Sequence, residues 1–290
     1  MNEFKKYHPI VNFVYFVFVI GFSCFLMHPV CLCISLISGF IYSVVLKGKK
    51  QVIKNLIYML PMLLMMALIN PAFNHEGVTV IEYLPSGNPL TLESVIYGLC
   101  AATMIVSVIC HFSCYNEVMT SDKFIYLFGK IIPSMSLIIS MTLRFVPKFA
   151  SQLKVVTNAQ RCMGRDVSNG GVVKRVRNGL NILSIMTTWS LENAIETADS
   201  MKSRGYGIPG RTAFSIFTFD KRDKKALVCI LLLGIYTLVG SLEGEISFSF
   251  FPSMKMAETS VFGISVFVAY LLLCVCPVII ELWEVRKWKA

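Results

Sequence analysis

Ala159-Gln160-Arg161-Cys162-Met163-Gly164-Arg165 and Ala198-Asp199-Ser200-Met201-Lys202-Ser203-Arg204-Gly205-Tyr206-Gly207 are two Arg/Gly endings within one basic stretch, Arg144 to Arg211. Each closes an amphipathic helical pattern. An α-helix turns about 100° per residue, so Lys154, Asn158, Arg161 and Arg165 fall in one narrow stripe, with Phe149, Leu153, Val156, Ala159 and Met163 opposite. Pro147 favours a helix start, and Gly164 suits a C-terminal cap. After the turn-rich Ser168-Asn169-Gly170-Gly171 and the cations Lys174, Arg175 and Arg177, a second helix is predicted to begin near Asn178 to Asn181. Leu191, Ala194, Ile195, Ala198 and Met201 form its apolar face, and Glu192, Glu196, Asp199 and Lys202 its polar one. Arg204 falls in the last turn, where the helix dipole favours a cation, and Gly205 can adopt the left-handed cap.

Working outward, the character of the sequence changes on both sides. No window from Arg144 to Lys225 can cross a bilayer, because each central Arg, Lys or Asp costs on the order of 2.5 to 3.5 kcal/mol. The flanks are strongly apolar. Over its 290 residues the chain is 55% hydrophobic and only 15% charged, against about 25% charged in soluble domains. This is the composition of an integral membrane protein. The apolar runs stand at both ends, so they form one embedded unit with the basic stretch inserted between them.

The runs predict six crossings: Ile10 to Met27, Val30 to Leu46, Leu56 to Ala67, Leu92 to Phe112, Ala226 to Leu242 and Ser260 to Ile280. The first resembles a signal-peptide core but is too long and lacks a small-x-small cleavage site. Phe124 to Thr142 is read as a helix lying in the interface or dipping partway in, because another crossing would place the basic stretch outside. Asn70 to Thr91 contains three prolines and two glutamates without Lys or Arg, as expected of an outer loop. Of 27 Lys and Arg residues this topology leaves only Lys255 outside, so both termini are expected in the cytoplasm. Trp283, Arg286, Lys287, Trp288 and Lys289 are expected to anchor the C-terminus at the inner interface. The expected fold is all-α and polytopic, with four spans in residues 1-123, amphipathic helices in 124-225 and two spans in 226-290.

Composition and motifs also exclude chemistry. A net charge of +10 would suggest nucleic acid in a soluble chain; here its placement reads as membrane topology. The ten cysteines lie mostly in or beside apolar runs, without disulfide or zinc spacing. His75-Glu76 with Glu82 reads as an ordinary polar loop rather than a metal site. No GxxxxGK[ST] phosphate loop is present, so ATP hydrolysis cannot be assigned to this chain. An autonomous secondary transporter would keep ionisable groups near the midplane, and the predicted spans offer essentially none.

The two amphipathic helices leave two readings open: they lie on anionic lipid, or they bind a partner. Repetition favours the partner, since two helices that each finish in Arg and Gly suit two equivalent sockets. Ser203-Arg204-Gly205-Tyr206-Gly207, preceded by Ala198-Asp199-Ser200-Met201, is similar to the Ala-Met-x-x-Arg-Gly-Tyr-Gly ending of a known family. Ala159-Gln160-Arg161-x-x-Gly164 matches the family's first ending, with Met163 where an arginine is usual. On these motifs and its layout of spans the chain resembles the transmembrane T component of energy-coupling factor (ECF) transporters, the EcfT/CbiQ family, over nearly its whole length.

The resemblance implies a non-catalytic membrane scaffold in complex with two ABC-type ATPases, which bind the ATP and magnesium, and a small S component that binds a vitamin or other micronutrient. It places the ATPase contact at Arg161, Gly164, Arg165, Ser203, Arg204 and Gly205, with Ala159, Gln160, Met163, Ala198 and Met201 on the supporting faces. On the helical wheel Met163 falls on the apolar side. Arg161, with Arg165 beside it, is therefore the expected substitute for the missing arginine.

Overall fold

A computed structural model describes residues 3–83, 89–129, 133–208, 217–256 and 260–289, and most of these residues are helical. A 3-10 turn at Phe4–Lys6 leads into α1 (Pro9–Phe25), α2 (Pro29–Lys47) and α3 (Lys49–Phe73). A hairpin of β1 (Val80–Tyr83) and β2 (Pro89–Thr91) precedes α4 (Leu92–Val118), α5 (Ser121–Gly129), α6 (Pro133–Cys162), α7 (Val172–Ser203) and α8 (Lys221–Leu242). A smaller hairpin, β3 (Phe248–Ser249) and β4 (Lys255–Met256), leads to α9 (Val261–Lys289). The chain divides into two compact units, one formed by Met1–Phe124 with Phe217–Ala290, the other by Ile125–Ile216.

Helices fall where the six apolar runs were read. Five are long and apolar enough to cross a membrane: α2, Asn55–Phe73 of α3, α4, α8 and Val261–Glu284 of α9. The apolar α1 is shorter, at 17 residues, and still within the spanning range of about 17 to 25. This is an all-α, multi-pass membrane protein. Helices α1 and α2 start alike: Pro9 and Pro29 need no N–H partner in the first turn, and the preceding His8 and His28 each accept an N–H from two residues on, at 3.3 and 3.2 Å.

Several boundaries differ from the sequence reading. Helix α3 continues through Pro61 and Pro71 to Phe73, so the connection expected from Asn70 begins as helix and then forms the β1–β2 hairpin. Phe124 to Thr142 is divided between α5 and the start of α6; Lys130, like Arg211, lies outside the described residues. Pro147 does not start a helix, because α6 already begins at Pro133 and absorbs the lost hydrogen bond. Helix α7 starts at Val172, earlier than Asn178, since Lys and Arg are good helix formers and nothing after Gly171 breaks the turn. Of the C-terminal anchors only the side chain of Trp283 is described.

The embedded unit runs up and down. At one end the Glu3 N–H donates to Glu281 at 2.8 Å, the His8 N–H to Asp223 at 3.2 Å and Lys5 to Glu117 at 3.1 Å, gathering the starts of α1 and α8 with the ends of α4 and α9. Lys47 at the end of α2 donates to Ser113 at 2.6 Å, close to the end of α4. At the other end, Tyr97 of α4 packs on Phe250 and Phe251 of the α8–α9 connection, with ring centroids 5.2 and 5.4 Å apart. This alternation brings Lys5, Lys6, Lys47, Lys221, Arg222 and Lys225 to a single basic end.

Between the two ends, hydroxyls stitch the core. Ser35 of α2 meets Ser23 of α1 at 2.5 Å, Ser107 of α4 at 2.6 Å and the His111 ring of α4 at 3.2 Å. Ser23 also lies 3.5 Å from the Tyr270 hydroxyl, and Tyr15 donates to the Cys274 carbonyl at 3.1 Å. In lipid these groups have no water, so each must find a protein partner. His111 corrects the expectation that the spans carry essentially no ionisable residue. The fourth run was expected to end near Phe112, but α4 extends to Val118 and leaves His111 fully buried within it.

Near the first hairpin, Glu93 accepts from the Thr79 N–H at 3.2 Å and the Thr79 hydroxyl at 2.9 Å. Gly77 there has φ +140°, and an added Cβ would lie 2.6 Å from Glu93 Oε2 and 2.9 Å from Thr91. Gly77→Ala is expected to cost about 2 kcal/mol of stability. A thermal midpoint in detergent equal to that of the wild type would refute this.

Candidate functional site

The second unit is built on the α6–α7 hairpin. The helices are antiparallel: Lys148 donates to Asn193 at 2.6 Å, Phe149 packs edge-on against Trp189 at 5.3 Å, and Val156 packs with Ile182 and Met186. Little else of the apolar faces is covered. Leu153, Leu191 and Ile195 are 46%, 63% and 65% exposed, and a groove of about 630 Å³ runs between the helices, floored by Leu153, Leu183 and Met186. Ala159 and Ala198 are also exposed, Met201 is half-buried and Gln160 is buried.

Both helix ends close in the same way. At the end of α6 the Gly164 N–H donates to the Arg161 carbonyl at 3.0 Å and the Arg165 N–H to the Gln160 carbonyl at 2.9 Å, with Gly164 at φ +73°. At the end of α7 the Gly205 N–H donates to the Lys202 carbonyl at 2.9 Å and the Tyr206 N–H to the Met201 carbonyl at 3.0 Å, with Gly205 at φ +77°. These are two copies of the Schellman closure, in which a left-handed residue lets the chain return onto its own last turn. Glycine takes that conformation without a Cβ clash.

The shared geometry aligns the endings residue by residue. Gly164 corresponds to Gly205, Met163 to Arg204, Cys162 to Ser203, Arg161 to Lys202 and Arg165 to Tyr206. Met163, 60% exposed, thus occupies the place of Arg204, while Arg161 stands two residues earlier on the helix. Arg161, Arg165, Ser203 and Arg204 are all exposed. The two endings do not converge on one pocket. They lie at opposite ends of α7, whose 32 residues rise about 45 Å.

Arg161 has a partner within the chain. Its Nε lies 3.4 Å from Asp166 Oδ2, and the same carboxylate accepts from the Ser168 N–H at 2.9 Å and from Asn169 at 3.2 Å. Asn178 donates to the Asp166 carbonyl and Arg175 to the Val167 carbonyl, each at 2.9 Å, which ties the loop to the early turns of α7. Arg161, Gly164, Asp166 and Lys174 line a cleft of about 320 Å³ beside it. Sequence reasoning missed Asp166; the available signal was an Asp directly after a Gly-Arg ending and ahead of a turn-rich run.

The Ser168 N–H, and after it the Arg161 guanidinium, hold the Asp166 carboxyl below the usual carboxylate range. A depressed folded value contributes order above the unfolded value and loses it as the pH falls through the folded one. Acidification through that range, or Asp166→Asn at neutral pH, is therefore expected to lower the protection factor of the Ser168 amide, the observed rate being divided into the intrinsic rate at the same pH. Unchanged exchange in Asp166→Asn would show that the carboxylate does not hold the loop.

Comparison with known proteins bears on the same region. The CbiQ family, described as a cobalt transport protein, matches residues 2–214, which include both endings. Among curated proteins, the chain is similar to the energy-coupling factor transporter transmembrane protein EcfT of Lactobacillus helveticus, with 38% identity over 103 residues covering 35% of this chain and 37% of that protein. It is likewise similar to EcfT of Lactococcus lactis subsp. cremoris, 30% identical over 38% of this chain and 42% of that protein. EcfT of Acidaminococcus fermentans is 34% identical over 40% of this chain and 44% of its own length. These matches span about two fifths of each relative's length. With the family match covering most of the chain, from α1 through the second Arg/Gly ending, this polytopic helical protein belongs to the CbiQ family of transport proteins.

Proposed function

We propose that this chain is the transmembrane scaffold of an ECF-type importer, coupling ATP hydrolysis by two partner ATPases to reorientation of a small substrate-binding S component. The cargo is a vitamin or other micronutrient. The observation that supports this most is the pair of equivalent closures about 45 Å apart on one hairpin, too distant for a single pocket and suited to two separate subunits. ATP and magnesium belong to those subunits, and this chain performs no catalysis. By the bias of Lys and Arg along the sequence, both termini and the Arg144–Arg211 stretch are cytoplasmic.

In this reading Arg204 is the principal pin into an acidic socket, where a guanidinium fork pairs with carboxylates better than an ammonium does. Gly205 and Gly164, lacking a Cβ, allow close approach, and Ser203 and Arg165 flank the contact. Arg161 is the secondary pin, held back by Asp166. The exposed apolar faces of α6 and α7, with Met163, Ala159, Ala198 and Met201 among them, await cover from the partners, because exposed apolar area of this extent marks a binding surface.

Affinity purification of the tagged chain from its own cells tests the proposal. Recovery of two ATP-binding-cassette subunits and a small membrane protein is expected. A purified chain that transports a solute or hydrolyses ATP by itself overturns it.

A further inference from the structure

The embedded unit has a second feature, distant in sequence from the two endings. Between α8 and α9 lies an open groove of about 680 Å³, with Ala226, Cys229 and Leu233 on one wall and Leu272, Cys276 and Ile279 on the other. Its basic end carries Lys221, Arg222 and Lys225. Lys221 and Lys225 are exposed and one turn apart, so both overlook the mouth. Arg222 is fixed there, its guanidinium 4.4 Å from the Tyr7 ring centroid and 3.9 Å from Glu284 Oε1.

The acids nearby do not cancel this charge. Asp223 is buried and accepts the His8 N–H at 3.2 Å and the Asp220 N–H at 3.1 Å, so it serves the start of the helix. Glu284 lines the groove and faces Arg222 alone among the three cations in an ion pair. The rim therefore keeps a surplus of positive charge. Trp283, which also lines the groove, is of a residue type that collects at the headgroup level.

From Lys221 to Leu233 α8 rises about 18 Å, slightly more than half of a hydrocarbon core of about 30 Å. Cations at the mouth thus sit at the depth of lipid phosphates, and the apolar walls follow a chain through one leaflet. A helix from another protein would fill the walls but bury the cations unpaired, at heavy cost. A zwitterionic lipid would bring its own cation up against them.

We propose that this groove is a binding site for one anionic glycerophospholipid, its phosphate held by Lys221, Arg222 and Lys225 and one acyl chain lying between α8 and α9. The three cations and both apolar walls lie beyond residue 214, where the family match ends; only Tyr7, against which Arg222 packs, falls within it.

Native mass spectrometry of the full chain in detergent tests it, with phosphatidylglycerol, phosphatidylcholine and glycerol 3-phosphate as probes. Phosphatidylglycerol is expected to be retained at least tenfold better than phosphatidylcholine. K221Q/K225Q should weaken its retention about 30-fold, the effect of removing two cations at a charged surface. K224Q, next to both but off the groove, should change it by no more than about twofold. Cys229→Phe, which fills one wall, should lose both lipids. Equal retention of the two lipids, an equal loss in K224Q, unchanged binding in K221Q/K225Q or Cys229→Phe, or competition by glycerol 3-phosphate at the lipid's own concentration would each overturn the proposal.

Discussion

Replacing Arg204 by alanine is expected to cut ATP-driven substrate uptake about 100-fold while leaving membrane insertion and thermal stability unchanged. Arg204 is exposed at the end of α7, so its removal opens no cavity. The loss comes from the far side of the contact: taking away one partner of a desolvated charge pair strands the other, at about 3 kcal/mol. Arg204→Lys should fall between, because an ammonium keeps the charge but not the fork. Arg161→Ala should cost no more than about fivefold, since Arg161 occupies the place of Lys202 rather than that of Arg204 and already shares Asp166. Met163→Ala should be near neutral for pairing, having no charge to lose. Uptake into vesicles, read beside co-purification of the ATPases, separates lost coupling from lost assembly. Full uptake in the Arg161→Ala/Arg204→Ala double variant would sink the pin assignment.

The second large effect is expected within the membrane. Gly240 of α8 faces Val266 of α9 so closely that an added Cβ would lie 2.5 Å from one Val266 methyl and 2.9 Å from the other. Val266 is fully buried and β-branched, so it can neither swing aside nor shrink. Small residues let membrane helices approach to this distance, and dispersion between close backbones holds them there. Gly240→Leu should force the helices apart, at about 3 kcal/mol, and lower the thermal midpoint in detergent by several degrees. Gly240→Ala should do less, and Val266→Ala in that background should restore part of the loss. No recovery in the double variant would place the damage elsewhere.

Much of this architecture could be read in the chain because it rests on solvent preference. Runs such as Leu92 to Phe112 can be stable only in lipid, and the basic stretch around Lys154 and Arg161 cannot be. The glycines at 164 and 205 were legible for a different reason, since few other residues turn left-handed at a helix end. What stayed hidden depends on tertiary partners. Nothing local reveals that α6 passes through Pro147, that Asp166 turns back onto Arg161, or that α7 takes up Val172 to Arg177. The serines at 23, 35 and 107 were invisible to hydropathy, which averages a hydroxyl into its apolar surroundings.

Those hydroxyls also impose an order on biosynthesis. Tyr15 and Ser23 are on α1, yet the Cys274 carbonyl and Tyr270 hydroxyl that meet them are on α9, 259 and 247 residues later in synthesis. Until α9 arrives, the early helices hold polar groups in lipid with incomplete pairing, and the Glu3 N–H lacks Glu281. These contacts are therefore completed only when α9 enters the bilayer. A chain that stops short of α9 leaves the Tyr15 hydroxyl in lipid without its Cys274 acceptor, whereas Ser23 keeps Val19 and Ser35.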